Sequence, residues 1–257
     1  MKLRQRTILI TGGSSGIGLE LARQLLARGN TVIVTGRDQD KLDEARRQLP
    51  GLHAFQSDVT DPGAIEALYR NVTAKFPTLD TLVNNAGIMR NLKLDQSRSL
   101  TDVTREIDIG LSGPVRMVQQ FLSHLRTQRN SLIINVSSGL AFVPFPVSPI
   151  YSAAKAALHA YTRCLRAQLD GSGVTVIELA PPGTETELFR GEFAEETRGQ
   201  RGMNPVTLVR SAIRGIEAGK SEIRPGPSNI LKILSRVAPN FIFKQMIQMS
   251  RLQTRTH

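Results

Sequence analysis

Hydrophobic and polar positions along the chain follow two different periods. Short β-branched or apolar runs at residues 7–11, 31–35, 81–84, 131–136 and 174–179 read as strands buried on both faces, with 53–56 a weaker sixth. Between them, apolar residues recur at three- and four-residue spacing over 17–28, 39–49, 62–75, 100–128 and 151–169, the mark of amphipathic helices. Strand–helix alternation of this kind predicts an α/β fold of the Rossmann type. The sheet is parallel and doubly wound, its crossovers right-handed, and helices cover both faces to give three layers. No internal repeat and no Pro/Gly/Ser linker divides the 257 residues, which therefore read as one domain.

From Ser228 the pattern changes into a basic amphipathic extension, so the main body is expected over 1–227 and a helical extension over 228–257. Ile230, Leu231, Ile233, Leu234 and Val237 interleave with Lys232 and Arg236. After Pro239 come Phe241, Ile242, Phe243, Met246, Ile247 and Met249, with Lys244 and Arg251. Three roles stay open: packing on the chain itself or a neighbouring subunit, a cover for a hydrophobic substrate, and contact with a membrane surface. Eleven Ile, Leu, Val, Phe and Met side chains between Ile230 and Met249 are too many to leave in water, at about 1.5–3 kcal/mol for each one fully buried. They are expected to cover a cleft or an adjoining subunit, with Lys232, Arg236, Lys244 and Arg251 facing solvent.

Composition narrows the class. With 40% hydrophobic and 21% charged residues the chain reads as an ordinary globular protein. The net charge of +11 is uneven: residues 201–257 hold ten Lys/Arg against Glu217 and Glu222, a net of +8. Such charge raises nucleic acid or an anionic membrane as partners. No nucleic-acid motif accompanies it, so the partner expected is a small molecule and not a nucleic acid. The charged start of the chain leads into a strand and a turn, not an export segment. No stretch approaches the roughly 20 apolar residues of a membrane span. The expected location is cytoplasmic, with peripheral membrane contact through the extension as the alternative. The lone Cys164 excludes an intramolecular disulfide and reads as a small packed hydrophobe. Four His and one Cys without ligand spacing predict no metal site.

Three features carry chemistry. Thr11-Gly12-Gly13-Ser14-Ser15-Gly16-Ile17-Gly18 closes the first strand and opens the first helix, as a phosphate-binding turn requires. Gly12 permits the turn, Gly16 the approach of pyrophosphate, and Gly18 close packing of helix on strand. The second strand ends in Gly36-Arg37, where a cation suits the 2′-phosphate of NADP(H) and a carboxylate would suit NAD(H); NADP(H) is favoured. The competing reading makes Arg37 a surface charge paired with Asp38 or Asp40. Tyr151 and Lys155 share one helix face among small residues, and Ser138 follows the strand at 131–136. A phenol near pKa 10 is a poor acid–base group at pH 7, and a neighbouring ammonium is expected to lower its pKa.

Taken together, Thr11–Gly18, Asp58-Val59, Asn84-Asn85-Ala86-Gly87, Ser138 and Tyr151-Ser152-Ala153-Ala154-Lys155 resemble the short-chain dehydrogenase/reductase family over roughly residues 5–225. The segment 223–229 and the tail after it are similar to the DltE-like oxidoreductases within it. The resemblance implies an NADP(H)-binding catalytic domain over 1–227, acting on a carbonyl or secondary alcohol and assembling as a homodimer or homotetramer. It implies Tyr151 as general acid/base, Lys155 as ribose ligand and partner of Tyr151, and Ser138 as a donor to the substrate oxygen. Around the cofactor it implies Gly12, Ser14, Ser15, Gly16, Ile17 and Gly18 at the phosphates and Asp58 and Val59 at the adenine. Asn85, Ala86 and Gly87 fall beside the ribose, and Pro181, Gly183, Thr184 and Thr186 beside the nicotinamide.

Two positions depart from the family pattern. Gly110 stands where the family carries an Asn that holds a helix kink and a water leading from the Lys to solvent, and Pro182 replaces a usual Gly. Gly110 supplies backbone irregularity but no side-chain amide, which makes a catalytically weak NADP(H)-binding regulatory protein the alternative reading. A peripheral membrane adaptor with a vestigial nucleotide site is the third. The polar, charged segment 185–203 fits either a substrate lid or an unstructured surface loop.

Overall fold

The computed structural model describes residues 2–250. Strands β1 (Thr7–Thr11), β2 (Thr31–Gly36), β3 (His53–Gln56), β4 (Leu79–Asn84), β5 (Ser131–Val136), β6 (Val174–Leu179) and β7 (Glu222–Ile223) form one parallel sheet in the order β3-β2-β1-β4-β5-β6-β7. The interior strands are buried along nearly their whole length, which is why their sequences are continuous apolar runs and not alternating ones. In the register, Ile10 of β1 sits beside both Val34 of β2 and Val83 of β4. The chain leaves β1 for β2 on one side and later returns to β4 on the other. The crevice above the C-terminal ends of β1 and β4 is therefore the switch point where such sheets bind ligands.

Helices α1 (Gly16–Leu26), α2 (Gln39–Gln48) and α3 (Pro62–Lys75) follow the first three strands. Side chains cap two of them: Asp38 accepts from the Lys41 amide and Asp61 from the Gly63 amide. The stretch expected as one helix over 100–128 is instead divided. It comprises α4 (Leu100–Val103), α5 (Arg105–Ile107), a π-helical turn at Asp108–Ser112, and α6 (Gly113–Thr127). Pro114 has no N–H for the carbonyl of Gly110, so the regular i→i−4 pattern cannot run through this point.

The chain continues through a 3₁₀ turn (Gly139–Ala141), α7 (Pro149–Gln168), α8 (Glu187–Arg190), α9 (Pro205–Glu217), α10 (Pro227–Val237) and α11 (Pro239–Met249). One apolar core, including Leu21, Leu25, Val209 and Ile213, packs α1 and α9 on one face of the sheet. A second, including Ile65, Phe121, Leu125 and Leu165, packs α3, α6 and α7 on the other. A third is built from Val143, Phe145, Val147, Phe193, Ile242 and Met246, beyond the sheet.

Cys164 is exposed and is not the packed hydrophobe expected. The buried face of α7 runs through Leu158, Thr162 and Leu165, and position 164 turns away from it.

Candidate functional site

The first part of the site is the turn between β1 and α1. Gly12 has φ +62°, and a Cβ there would stand 2.8 Å from the Ala86 Cα; only glycine fits both demands. At Gly18 a Cβ would meet the Gly12 carbonyl at 2.2 Å, so this glycine sets how closely α1 approaches the strand end. Thr11 and Asn85 brace the turn. The Thr11 Oγ1 accepts from the Asn85 and Ala86 amides at 3.0 and 3.1 Å, and the Asn85 Nδ2 donates to the Thr11 and Gly12 carbonyls at 3.0 and 2.9 Å. The Asn85 side chain, expected beside a ribose, thus holds the turn's shape. Ser15 caps α1 with extended backbone and no side-chain hydrogen bond, so its side chain satisfies none of the first-turn amides.

The second part is the cluster at the end of β5. Ser138 is extended (φ −164°) between two inter-strand ties, Ser137 N–H to the Leu179 carbonyl at 2.8 Å and Gly139 N–H to the Pro181 carbonyl at 2.7 Å. Its hydroxyl accepts from the Leu140 amide at 3.1 Å and stands near enough to the Tyr151 phenol to pull that group's pKa down. Tyr151 and Lys155 lie one turn apart on the buried face of α7. The Lys155 Nζ donates to the Val136 carbonyl at 2.8 Å and sits 5.6 Å from the centre of the Tyr151 ring.

Electrostatics here differ from the sequence expectation. Burial pushes the Tyr151 phenol up to about 12, against the downward pull of Ser138, and the Glu106 carboxylate adds to the rise. Burial likewise brings Lys155 down to about 8. The expected lowering of Tyr151 by the ammonium is not realised, because desolvation dominates and the ammonium's hydrogen bond goes to a main-chain carbonyl.

A stability consequence follows. Below pH 8 the folded state bears the full cost of the buried ammonium, about 3 kcal/mol for this shift. That cost disappears as pH rises through the interval from about 8 to the unfolded value of 10.5. Lys155→Met is expected to raise the denaturation midpoint at pH 7 and to lose this advantage toward pH 10.5. Urea titrations at the two pH values measure it, and a midpoint lowered at pH 7 would contradict it.

Both parts open into one cavity of about 1080 Å³. Of the residues singled out in the sequence, Gly12, Ser14, Ser15, Gly16, Ile17, Asn85, Gly87, Ser138, Tyr151, Lys155, Pro181, Gly183, Thr184 and Thr186 line it. Gly18, Arg37, Asp58, Val59 and Ala86 do not. Gly18 and Ala86 pack directly behind the turn, and Val59 is buried against Gly113. Arg37 is half exposed and faces Asp58 at 3.9 Å, not Asp38 or Asp40, while Asp58 also accepts from the Thr60 amide and hydroxyl at 2.8 Å.

The far wall of the cavity is made by Phe145, Phe193, Ile242 and Met246 together with Arg90 and Arg105 at the edge. Ile242 and Met246 belong to the tail expected to cover a cleft, whereas Phe145, Phe193, Arg90 and Arg105 were missed from the sequence. The segment 185–203 is folded down. Phe193 is buried, Arg190 pairs with Glu185 at 2.7 Å and donates to the Thr197 and Gln200 carbonyls, and Asn91 donates to Glu192 and Glu196.

The extension divides its apolar side chains almost evenly. Leu231, Leu234, Ile242, Met246 and Ile247 turn inward, while Ile230, Ile233, Val237, Phe241, Phe243 and Met249 stay exposed. Arg236 and Lys244 face solvent as expected. Lys232 does not: its ammonium pairs with Glu222 and lies 5.2 Å from the Phe142 ring centre. Arg251 is outside the described residues.

Behind Ser138 lies a second polar cluster. Glu178, fully buried, accepts from the Ser137 hydroxyl at 2.5 Å and contacts His159 Nδ1 at 2.7 Å. Glu222 completes a group whose ligand atoms all lie within 4.8 Å of one another. Lys232 and Arg224 already neutralise Glu222, so protein cations and donors occupy this donor set.

Among known proteins, the short chain dehydrogenase family matches residues 6–197. An uncharacterized oxidoreductase, DltE, of Bacillus subtilis is 40% identical over 96% of this chain and 98% of its own length. A short chain dehydrogenase from Burkholderia cenocepacia, solved with NADP, superposes with a TM-score of 0.82 at 22% identity, covering 96% of this chain and 99% of that one. A 3-ketoacyl-(acyl-carrier-protein) reductase from Brucella melitensis, solved with NADH, gives 0.78 at 24% identity over 88% of this chain and 100% of that one. Among the described residues no helix is long and apolar enough to cross a membrane.

Proposed function

This chain belongs to the short-chain dehydrogenase/reductase family as a DltE-like oxidoreductase, and on that premise we propose that it transfers hydride between NADP(H) and a carbonyl or secondary alcohol. The observation that carries the reading is the convergence of Ser138, Tyr151 and Lys155 in the same cavity as an uncapped glycine-rich turn. At about 1080 Å³ that cavity is at the upper end of ordinary ligand pockets, room for a dinucleotide and a second molecule. The turn suits a pyrophosphate because Gly16 lines the cavity without a side chain and the start of α1 carries no side-chain cap. When bound, the nicotinamide supplies or accepts the hydride.

The protein's own groups do the rest. Ser138 donates to the substrate oxygen and Tyr151 exchanges the proton with it. Lys155 holds the ribose and keeps a positive charge beside the phenol. Burial pushes the Tyr151 phenol up to about 12, so near neutrality it is protonated and in the reductive direction gives that proton to the substrate oxygen. Oxidation of NADPH by a panel of ketones and aldehydes tests the reading, and binding of NADPH without turnover of any carbonyl would overturn it.

Arg37 supports the choice of cofactor. It stands half exposed at the end of β2, with one long contact to Asp58 and no carboxylate at position 36. NADPH should bind at least about tenfold more tightly than NADH, and Arg37→Ala should erase most of that ratio. The chain has no Trp, so NADPH's own fluorescence is the reporter. Equal affinity for the two cofactors, or an unchanged ratio in the variant, would contradict it.

Gly110 favours the second reading, a catalytically weak cofactor-binding regulator, because no amide is present to order a water beside Lys155. It lies buried in the π turn, and a Cβ there would meet the Ala154 Cβ at 3.6 Å, an ordinary contact. A Cβ is therefore tolerated here, and a stably folded Gly110→Asn should raise kcat or shift the pH–rate profile if a proton relay is the missing part. An unchanged profile would show that solvent reaches Lys155 another way.

A further inference from the structure

The wall of the cavity away from the glycine-rich turn is apolar, and three separate segments build it. Phe145 comes from the loop after β5, Phe193 from the folded-down segment, and Ile242 and Met246 from α11. All four are buried, with exposures of 7%, 1%, 9% and 5%, yet all four also front the cavity. Side chains packed into a core on one side and facing an open space on the other lack contacts that an apolar ligand would restore.

Most polar groups on the same lining are engaged within the protein, although the Arg90 Nε is buried without a hydrogen-bond partner among the described residues. Glu192 and Glu196 accept from Asn91, and Arg90 is held by Asp102 and Glu106. The Thr197 hydroxyl donates to the Phe193 carbonyl, and the Gln200 amide to the Glu196 carbonyl. Arg105 and Arg201 are exposed and stand at the rim. The compartment also has an apolar exit. Ile230 and Met249 line it while remaining 58% and 40% exposed, and Ile233 and Val237 continue from Ile230 along one face of α10.

Resting on the carbonyl-reducing reading above, we propose that the substrate carries its carbonyl on an extended apolar chain. The chain lies against Phe145, Phe193, Ile242 and Met246 and leaves past Ile230 and Met249. The C-terminal helix is thereby part of the substrate site. The reacting end meets Ser138 and Tyr151, and the tail meets only hydrocarbon and thioether surface. A short or highly polar carbonyl compound would leave that surface unfilled.

The test is a series of straight-chain 2-ketones from butanone to undecanone, read in two ways on the full-length protein. Binding is measured by calorimetry in the presence of NADP+, which cannot reduce them, and turnover is measured separately with NADPH. Affinity and kcat/KM should each rise about fourfold per added methylene, the fold-change equivalent to about 0.8 kcal/mol per buried CH2, and then level off once the chain reaches the exit. Met246→Gln, a swap of similar length, should flatten the series. Ile230→Glu, at an exposed position where folding is not at stake, should weaken only the longest members. Graded binding without reduction would uphold the apolar compartment and defeat the redox reading. Reduction at rates indifferent to chain length would uphold the redox reading and overturn this one. Flat binding together with a flat Ile230→Glu response would also overturn it.

Discussion

Tyr151→Phe is expected to lower kcat by on the order of 10²–10⁴-fold while leaving NADPH affinity within a few-fold of the parent. The substitution removes one oxygen and keeps the ring. Tyr151 is buried and packs on α7 beneath the cavity, so Phe retains nearly all of its contacts. The hydroxyl's neighbour is Ser138, not the main chain of the glycine-rich turn, so the cofactor's phosphate cradle loses nothing. Only the transferable proton goes. Lys155→Ala should by contrast damage binding and turnover together, because its ammonium lies within reach of both the ribose side and the phenol. Retention of most activity by Tyr151→Phe on a good substrate would refute the assigned mechanism.

The same residues set the pH dependence. With its proton held up to about 12, Tyr151 remains a donor throughout the neutral range, and reduction should not fall through its loss. Oxidation of an alcohol needs the phenolate, so its rate should climb as pH rises toward 12. The Lys155 charge is lost through about 8, which should weaken cofactor binding on the alkaline side of that value. A reductive optimum at neutral pH with an alkaline oxidative optimum is the expected pair of profiles.

How far these features were legible in the sequence depends on where the forces acted. The strands at 7–11, 131–136 and 174–179 were readable because a parallel strand buried on both faces leaves a continuous apolar run. The turn at Gly12–Gly18 and the Tyr151–Lys155 pair were readable because one local element carries each. The break at Asp108–Ser112 was partly legible, because Gly110 was read as a backbone irregularity, but the helical periodicity across 100–128 still read as one helix. Helix α9 was also signalled, by Asn204 as cap, Pro205 in the first turn, and Leu208, Val209, Ala212 and Ile213 on one face. The raised Tyr151 pKa could not be read, because it depends on burial and on Glu106, some 45 positions away in the chain. Nor could the pairing of Lys232 with Glu222, or the meeting of Phe145, Phe193 and Met246, since each joins segments brought together only by the finished fold.

Deleting residues 228–257 should be the most damaging change outside the Ser138–Tyr151–Lys155 cluster. Of the helices lost, α11 supplies Ile242 and Met246 to the third core, and α10 adds Leu231 and Leu234 against it. At about 1.5–3 kcal/mol for a side chain fully buried, losing the two buried residues alone removes roughly 3–6 kcal/mol. Phe145, Phe193, Val143 and Val147 would then stand in water, forming a patch that promotes association. Glu222 would lose Lys232 as a partner and keep only Arg224. For a domain of this size the melting temperature should fall by on the order of 10 °C. The truncated protein should aggregate more readily, and its KM for long-chain carbonyl compounds should rise more than its KM for short ones. A membrane role for the exposed face of Ile233, Val237, Phe241 and Phe243 forecasts something different: a truncated protein that stays soluble and active but no longer binds anionic vesicles at low salt. Sedimentation, vesicle binding and chain-length kinetics on the two proteins separate these outcomes. A truncated form matching the full chain in all three would mean that α10 and α11 serve neither the cleft nor a surface.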